Sequence, residues 1–214
     1  MRTVFLIDGF NFYHALKRTE VTKKGQRYLQ KNPPKWKWFN YEQYCRLFLD
    51  AKATLVDIYY FTAYCIHKPG SVNRHKLYIS VLQDLGVKVV LGKYKKKTRE
   101  CRQCGNTWLH PEEKATDVNI AIEAYALANS RLVDKIFIVS GDTDLLAVLV
   151  RIRKDFPTIK TEVIFPYLRH SSEFESEGFV CHKTTKAAIE ASLFPRDVPL
   201  KDGSIATRPK EWAF

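Results

Sequence analysis

The stretch KIFIVSGDTDLLAVLVRI, residues 135–152, decides how the chain is read. It begins as a continuous apolar run of strand length, which is how a strand buried on both faces of a parallel sheet reads. It then stops at two closely spaced carboxylates, Asp142 and Asp144, and continues as a helix. Carboxylates crowded at the end of a strand repel one another unless a cation lies between them.

Residues 3–7, TVFLI, have the same character and end at Asp8-Gly9, with the helical pattern of FNFYHAL behind them. LVDIYYFTAY (55–64), VKVVLG (87–92) and TEVIFP (161–166) read as further strands, and a short edge strand is expected around residues 179–181. Helices are expected over 40–51, 72–86, 115–130 (N-capped by Thr116), 142–156 and 184–194, with a helical turn near 171. Strand and helix alternating at this interval mean βαβ units and a mainly parallel sheet of five to six strands, an α/β fold. We expect one domain over 1–194 and a C-terminal tail over 195–214, where Pro195, Pro199, Gly203 and Pro209 gather.

Two segments break the alternation. Residues 17–38, KRTEVTKKGQRYLQKNPPKWKW, hold eight basic residues against one acid, with Tyr28, Trp36 and Trp38 interleaved. Two readings stand. Lys23, Lys24 and Arg27 hold a phosphate backbone while Trp36 and Trp38 stack on unpaired bases, or the segment is a solvated loop whose tryptophans pack back on the domain. The second segment, 93–114, carries Lys95, Lys96 and Lys97 into Cys101-x-x-Cys104-Gly105. Such a turn is half of a tetrahedral zinc site, with Cys65, His67 or His110 available to complete it; the competing reading is a pair of reduced thiols in a hairpin.

Composition narrows the function. Thirty-five lysines and arginines against 23 acids leave a net charge of +12, which points to a polyanionic partner, most simply nucleic acid. No run approaches the roughly 18 apolar residues of a membrane span, MRTVFLIDG lacks the pattern of a signal peptide, and five mostly isolated cysteines do not make a disulfide framework. A cytoplasmic protein is the expectation.

In a parallel sheet the site forms beyond the carboxyl ends of the strands. Asp8 follows the first strand, Asp142 and Asp144 follow the fourth, and Asp117 opens a helix that starts at that same edge. Each acid alone suits a turn or a helix start. Together they would raise one another's pKa, and a hard divalent cation, Mg2+ or Mn2+, relieves that repulsion. On a basic protein the natural reaction is phosphodiester hydrolysis. Two other α/β readings fail: an aspartyl phosphatase needs an acid at position 10, where Phe10 stands, and DGFNFY offers one glycine instead of a dinucleotide fingerprint.

Asp8-Gly-Phe-Asn11 after a strand, Glu113-Lys114-Ala-Thr-Asp117-Val, and Ser140-Gly141-Asp142-Thr-Asp144, in that order, resemble the NYN domain of the PIN-like, FEN-like nucleases over residues 2–182. The resemblance extends to the branch with a CxxC before the Lys-x-x-Asp motif. It implies a three-layer α/β/α sandwich and a metal-dependent ribonuclease preferring single strands, with Asp8, Asp117, Asp142 and Asp144 at the metal and Asn11 assisting. Lys114 would steer the scissile phosphate. Glu123 matches a family acid, but six residues at about 100° each put it about 240° round the helix from Asp117, so it is left to a supporting place or to pairing with Lys114. The alternatives are an RNA-binding adaptor without turnover and a DNA nuclease, and self-association into a homodimer is open.

Overall fold

The computed structural model describes residues 1–23, 26–64, 69–101 and 103–213; within these, only the backbone is described at 19–23, 26–28, 69, 95–96 and 109–113. The elements in chain order are β1 (Arg2–Asp8), α1 (Gly9–Lys17), β2 (Arg18–Lys23), β3 (Gln26–Lys31), α2 (Tyr41–Arg46), β4 (Thr54–Thr62), α3 (Pro69–Asp84) and β5 (Lys88–Leu91). They continue as β6 (Lys93–Glu100), β7 (Thr107–Lys114), α4 (Thr116–Ser130), β8 (Lys135–Val139), α5 (Leu146–Asp155), β9 (Lys160–Phe165) and α6 (Ser172–Ser176). Last come β10 (Val180–Lys183), α7 (Lys186–Ala191), β11 (Asp197–Pro199) and β12 (Ile205–Thr207).

Six strands form one parallel sheet in the order β10-β9-β8-β1-β4-β5. Side chains alternate across a strand, so Val4 and Leu6 of β1 face one way and Phe5 and Ile7 the other, all fully buried. The Phe5 and Ile7 face is covered by Phe12 of α1, Tyr44 of α2, Leu82 of α3 and Ile189 of α7. Ile120 of α4, Leu149 of α5 and Phe174 of α6 cover the Val4 and Leu6 face. The result is the expected α/β/α sandwich, and this two-sided burial is why its strands read as unbroken apolar runs.

The helices change face where the chain turns from β4 and β5 on one side of β1 to β8 on the other. That makes the crevice between β1 and β8 the topological switch point, where ligands bind in sheets of this kind. Among the described residues no helix is long and apolar enough to cross a membrane.

Three expectations need correction. Residues 195–214 are no tail: β11 and β12 pair as a hairpin, and Val198, Ala206 and Trp212 belong to the core beside Trp38. Of the two readings of 17–38, the tryptophans follow the second: Trp36 and Trp38 pack back on the domain, 2% and 0% exposed, so neither can stack on a base. Burying a tryptophan removes a large apolar area from water, and Trp38 also donates from Nε1 to the Pro195 carbonyl at 2.7 Å. Thr116 is not the cap of α4; that position belongs to Ala115 in the left-handed region, and Thr116 is buried as the first helical residue.

Candidate metal centre at the switch point

The site begins with the last residue of β1. Asp8 is 3% exposed and caps α1, its Oδ1 accepting from the Asn11 backbone N–H at 2.9 Å. Its Oδ2 accepts from the Ser140 hydroxyl at 2.8 Å, and the Ser140 oxygen in turn accepts from the Asp142 N–H at 3.1 Å. Asp142 caps the short 3₁₀ turn before α5, accepting from the Asp144 N–H at 3.1 Å. The Asn11 side-chain oxygen accepts from the Gly141 N–H at 3.3 Å, tying α1 to the turn after β8. Two strand ends are thus held together by one hydroxyl and one amide.

Gly9 lets the start of α1 lie hard against β4, on the other side of β1 from the Ser140 contact. A Cβ there would stand 2.6 Å from the Phe61 carbonyl oxygen and from the Tyr60 ring. Gly9→Ala is therefore expected to cost about 3 kcal/mol, a fall in melting temperature of about 6–12 °C at this chain length, which a thermal melt reads.

Burial drives the electrostatics. Loss of hydration pushes the Asp8 carboxyl up to about 6, against the two hydrogen bonds that favour its charged form, and the Asp117 and Asp142 charges push the same way. The structure therefore brings Asp8, Asp117 and Asp142 into electrostatic contact. Asp117 is half-buried in the first turn of α4, whereas Asp144 is exposed at the outer rim. The Glu123 charge reaches the Tyr59 hydroxyl, and Tyr59 pairs with Leu6, two residues below Asp8 on β1. Lys114 ends β7, exposed and level with Lys93.

The donor set suits a hard cation. Among the described residues no three His, Cys, Asp or Glu side chains close into a ready cage. Mg2+ does not need one, because it takes one or two carboxylates and keeps several waters. A dehydrated Asp8 carboxylate, repelled by the Asp117 and Asp142 charges, is a donor set that would suit such a hydrated ion.

The CxxC lies on the turn between β6 and β7. The Cys101 N–H donates to the Asn106 carbonyl at 2.8 Å and the Gly105 N–H to the Cys101 carbonyl at 2.9 Å, with Gly105 at φ +69°. Hydrogen bonds from the Gln103 and Cys104 backbone, then from the Cys104 thiol, hold the Cys101 thiol below its usual value. Cys65, His67 and the His110 side chain lie outside the described residues, as do Lys24 and the side chains of Lys23, Arg27, Lys95 and Lys96. Lys97 is exposed on β6, where Arg99 pairs with the exposed Trp108.

Sequence reasoning quoted Ser140 in its motif but missed its role, since its hydroxyl joins Asp8 to Asp142 directly after β8. It also missed Arg169, whose Cβ is 3.3 Å from where a Cβ on Gly141 would sit, and whose charge reaches His14. Arg169 lies four residues past β9, so the carboxyl-edge rule could have found it.

No curated protein matches the chain. A crystal structure of a Vibrio parahaemolyticus protein of unknown function superposes with a TM-score of 0.57 at 19% identity, covering 90% of this chain and 96% of that one. That likeness shows the fold. The family model of the NYN domain matches residues 2–178, spanning Asp8, Asp117 and the Ser140–Asp144 turn, and the chain belongs to the NYN domain family, whose fold is nuclease-like.

Proposed function

We propose that the chain is a metal-dependent ribonuclease that hydrolyses phosphodiester bonds in single-stranded RNA. One observation carries the reading: a buried, dehydrated Asp8 in electrostatic contact with Asp117 and Asp142 at the switch point of a strongly basic protein. Asp8, Asp117 and Asp142, with Asp144 at the rim, would hold Mg2+ or Mn2+. Such a cation would polarise the scissile phosphate and offset charge on the leaving oxygen.

The remaining work falls to the chain. The Ser140 hydroxyl and the Asn11 N–H fix the Asp8 carboxylate, so its orientation does not depend on the substrate. Asn11 holds the Gly141 turn and with it Asp142. Arg169 beside Gly141, and Lys114 three residues before Asp117, would bring positive charge to the acids, and the β6–β7 hairpin would offer Lys97, Arg99 and Trp108 to a strand, in place of the two buried tryptophans. Cations along a backbone and an exposed aromatic for stacking are what single-strand binding uses. On that hairpin Cys101 and Cys104 supply two of the four ligands a structural zinc takes.

Incubating end-labelled RNA with Mn2+ tests the reading, beside Asp142→Asn. The wild type is expected to cleave and the variant to lose at least a hundredfold in rate, as metal-site changes do. Equal cleavage by both would remove the assignment. RNA binding that survives EDTA, without cleavage in any metal, would favour an adaptor, and equal cleavage of single-stranded DNA would widen the substrate.

A further inference from the structure

On the β4 side of Gly9, within the same helical turn as Asp8 and Asn11, a cavity of about 330 Å3 opens at the carboxyl edge of the sheet. Its size falls at the lower end of small-ligand sites. Phe10, Tyr13 and Lys17 of α1 form one wall, Arg74 of α3 another, and Lys37 lies at the end of the 3₁₀ turn Pro34–Lys37. Glu211 and Trp212 of the C-terminal segment close the far side, so the stretch expected to be a tail builds part of this site.

The lining has a definite charge. Three cations, Lys17, Lys37 and Arg74, face one carboxylate, Glu211, and Arg74 pairs with Glu211 at 2.6 Å. Burial, then repulsion from Lys17 and Arg74, holds the Lys37 amine below its usual value. Cations gathered with that penalty are better accommodated by a dianion than by water. At the mouth the Phe10 ring is 43% exposed, and it tilts against His14 at 4.5 Å between centroids. Inside, the Thr62 hydroxyl and His75 Nε2 stand 3.4 Å apart, and burial drops His75 to about 4, so it presents a neutral imidazole. Aromatic surface, neutral hydrogen-bonding groups and a net positive lining together match a nucleotide better than a bare anion or an apolar molecule.

We propose that this cavity receives one nucleotide of the substrate strand, its phosphate among Lys17, Lys37 and Arg74 and its base against Phe10 and Tyr13. That the nucleotide belongs to a strand rests on the nuclease reading. A strand seated this way places an adjacent phosphodiester at the Asp8 turn, so the cavity would set where along the strand cleavage falls.

The test titrates adenosine 5′-monophosphate, adenosine and inorganic phosphate into the full chain by calorimetry, in EDTA. The monophosphate is expected to bind at least tenfold more tightly than either fragment. Lys37→Gln should weaken it at least tenfold and Lys37→Arg should restore most of that loss. Lys160→Gln, the same charge change at the opposite edge of the sheet, should leave it unchanged. The proposal is overturned if the monophosphate does not bind, if a fragment binds as well, or if Lys37→Gln and Lys160→Gln weaken it alike. The two readings fail separately: Lys37-dependent binding by a protein that cuts no RNA removes the nuclease and keeps the cavity as a mononucleotide site. Cleavage without monophosphate binding removes the cavity alone.

Discussion

Asp8→Asn is expected to abolish Mn2+-dependent RNA cleavage while making the metal-free protein more stable at neutral pH. The two effects share one cause. In the fold the Asp8 carboxyl titrates near 6, whereas an exposed aspartate titrates near 3.9. A carboxyl raised on folding contributes its stability in the protonated form, which is fully present below about 4 and lost as pH climbs through 6. Above that, ionised Asp8 costs on the order of 2–3 kcal/mol, two units at about 1.4 kcal/mol each. Asparagine keeps an acceptor for the Asn11 N–H and removes the charge. In EDTA the variant should therefore melt higher than the wild type at pH 7.5, with the advantage gone at pH 4. Mn2+ should reverse the order by stabilising only the wild type, as any ligand of the native state does. The loss of activity should be on the order of a thousandfold, since a bound cation contributes several kcal/mol to the transition state. A variant less stable than the wild type in EDTA at pH 7.5 would show that burial of the charge is not what sets Asp8 apart.

Why the sheet could be read from the chain follows from the same burial. Val4 to Ile7 and Ile136 to Val139 are buried on both faces, so nothing polar interrupts them, and each run ends where the backbone leaves the core. Asp8 and Asp142 were legible because a cap must be a short acceptor and the strand end is fixed by the apolar run. Asp117 needed its helix to start at the same edge, which the return of β7 beside β6 provides. Ser140 was invisible as a functional residue because a hydroxyl after a strand is ordinary until its partner is known. Lys17, Lys37 and Arg74 come from three separate elements, and no spacing rule joins them.

The C-terminal segment escaped for another reason. Four helix-breaking residues in twenty describe a chain that avoids helices, not one that avoids the core. Trp36 and Trp38 stood among lysines, and their neighbours gave no periodicity, so stacking on bases and packing on the domain stayed equally open where the rings are in fact enclosed. Local composition reports which backbone a segment can adopt more faithfully than where its largest side chains end up.

Trp38→Ala puts that distinction to a quantitative test. Trp38 is fully buried, with the rings of Phe194, Tyr78 and Trp212 at 5.7, 6.0 and 6.2 Å, and its indole N–H holds the Pro195 carbonyl. Removing it leaves a large hole among Tyr78 of α3, Phe194 and Trp212, and such changes cost about 3–5 kcal/mol. At 2–4 °C per kcal/mol that is a fall of roughly 6–20 °C in melting temperature. Trp38→Phe keeps most of the buried area but leaves the Pro195 carbonyl without its donor, so about 1–3 kcal/mol is expected. A stacking platform would behave oppositely: truncation would weaken RNA by about 1–3 kcal/mol per stacked base and leave the melt alone. Deleting 195–214 should act in the same direction as Trp38→Ala and further, because Val198, Ala206 and Trp212 leave the core together. That deletion also takes Glu211 and Trp212 from the cavity wall, so loss of monophosphate binding should accompany the loss of stability, whereas Trp108→Ala on the exposed hairpin should weaken RNA and leave both untouched.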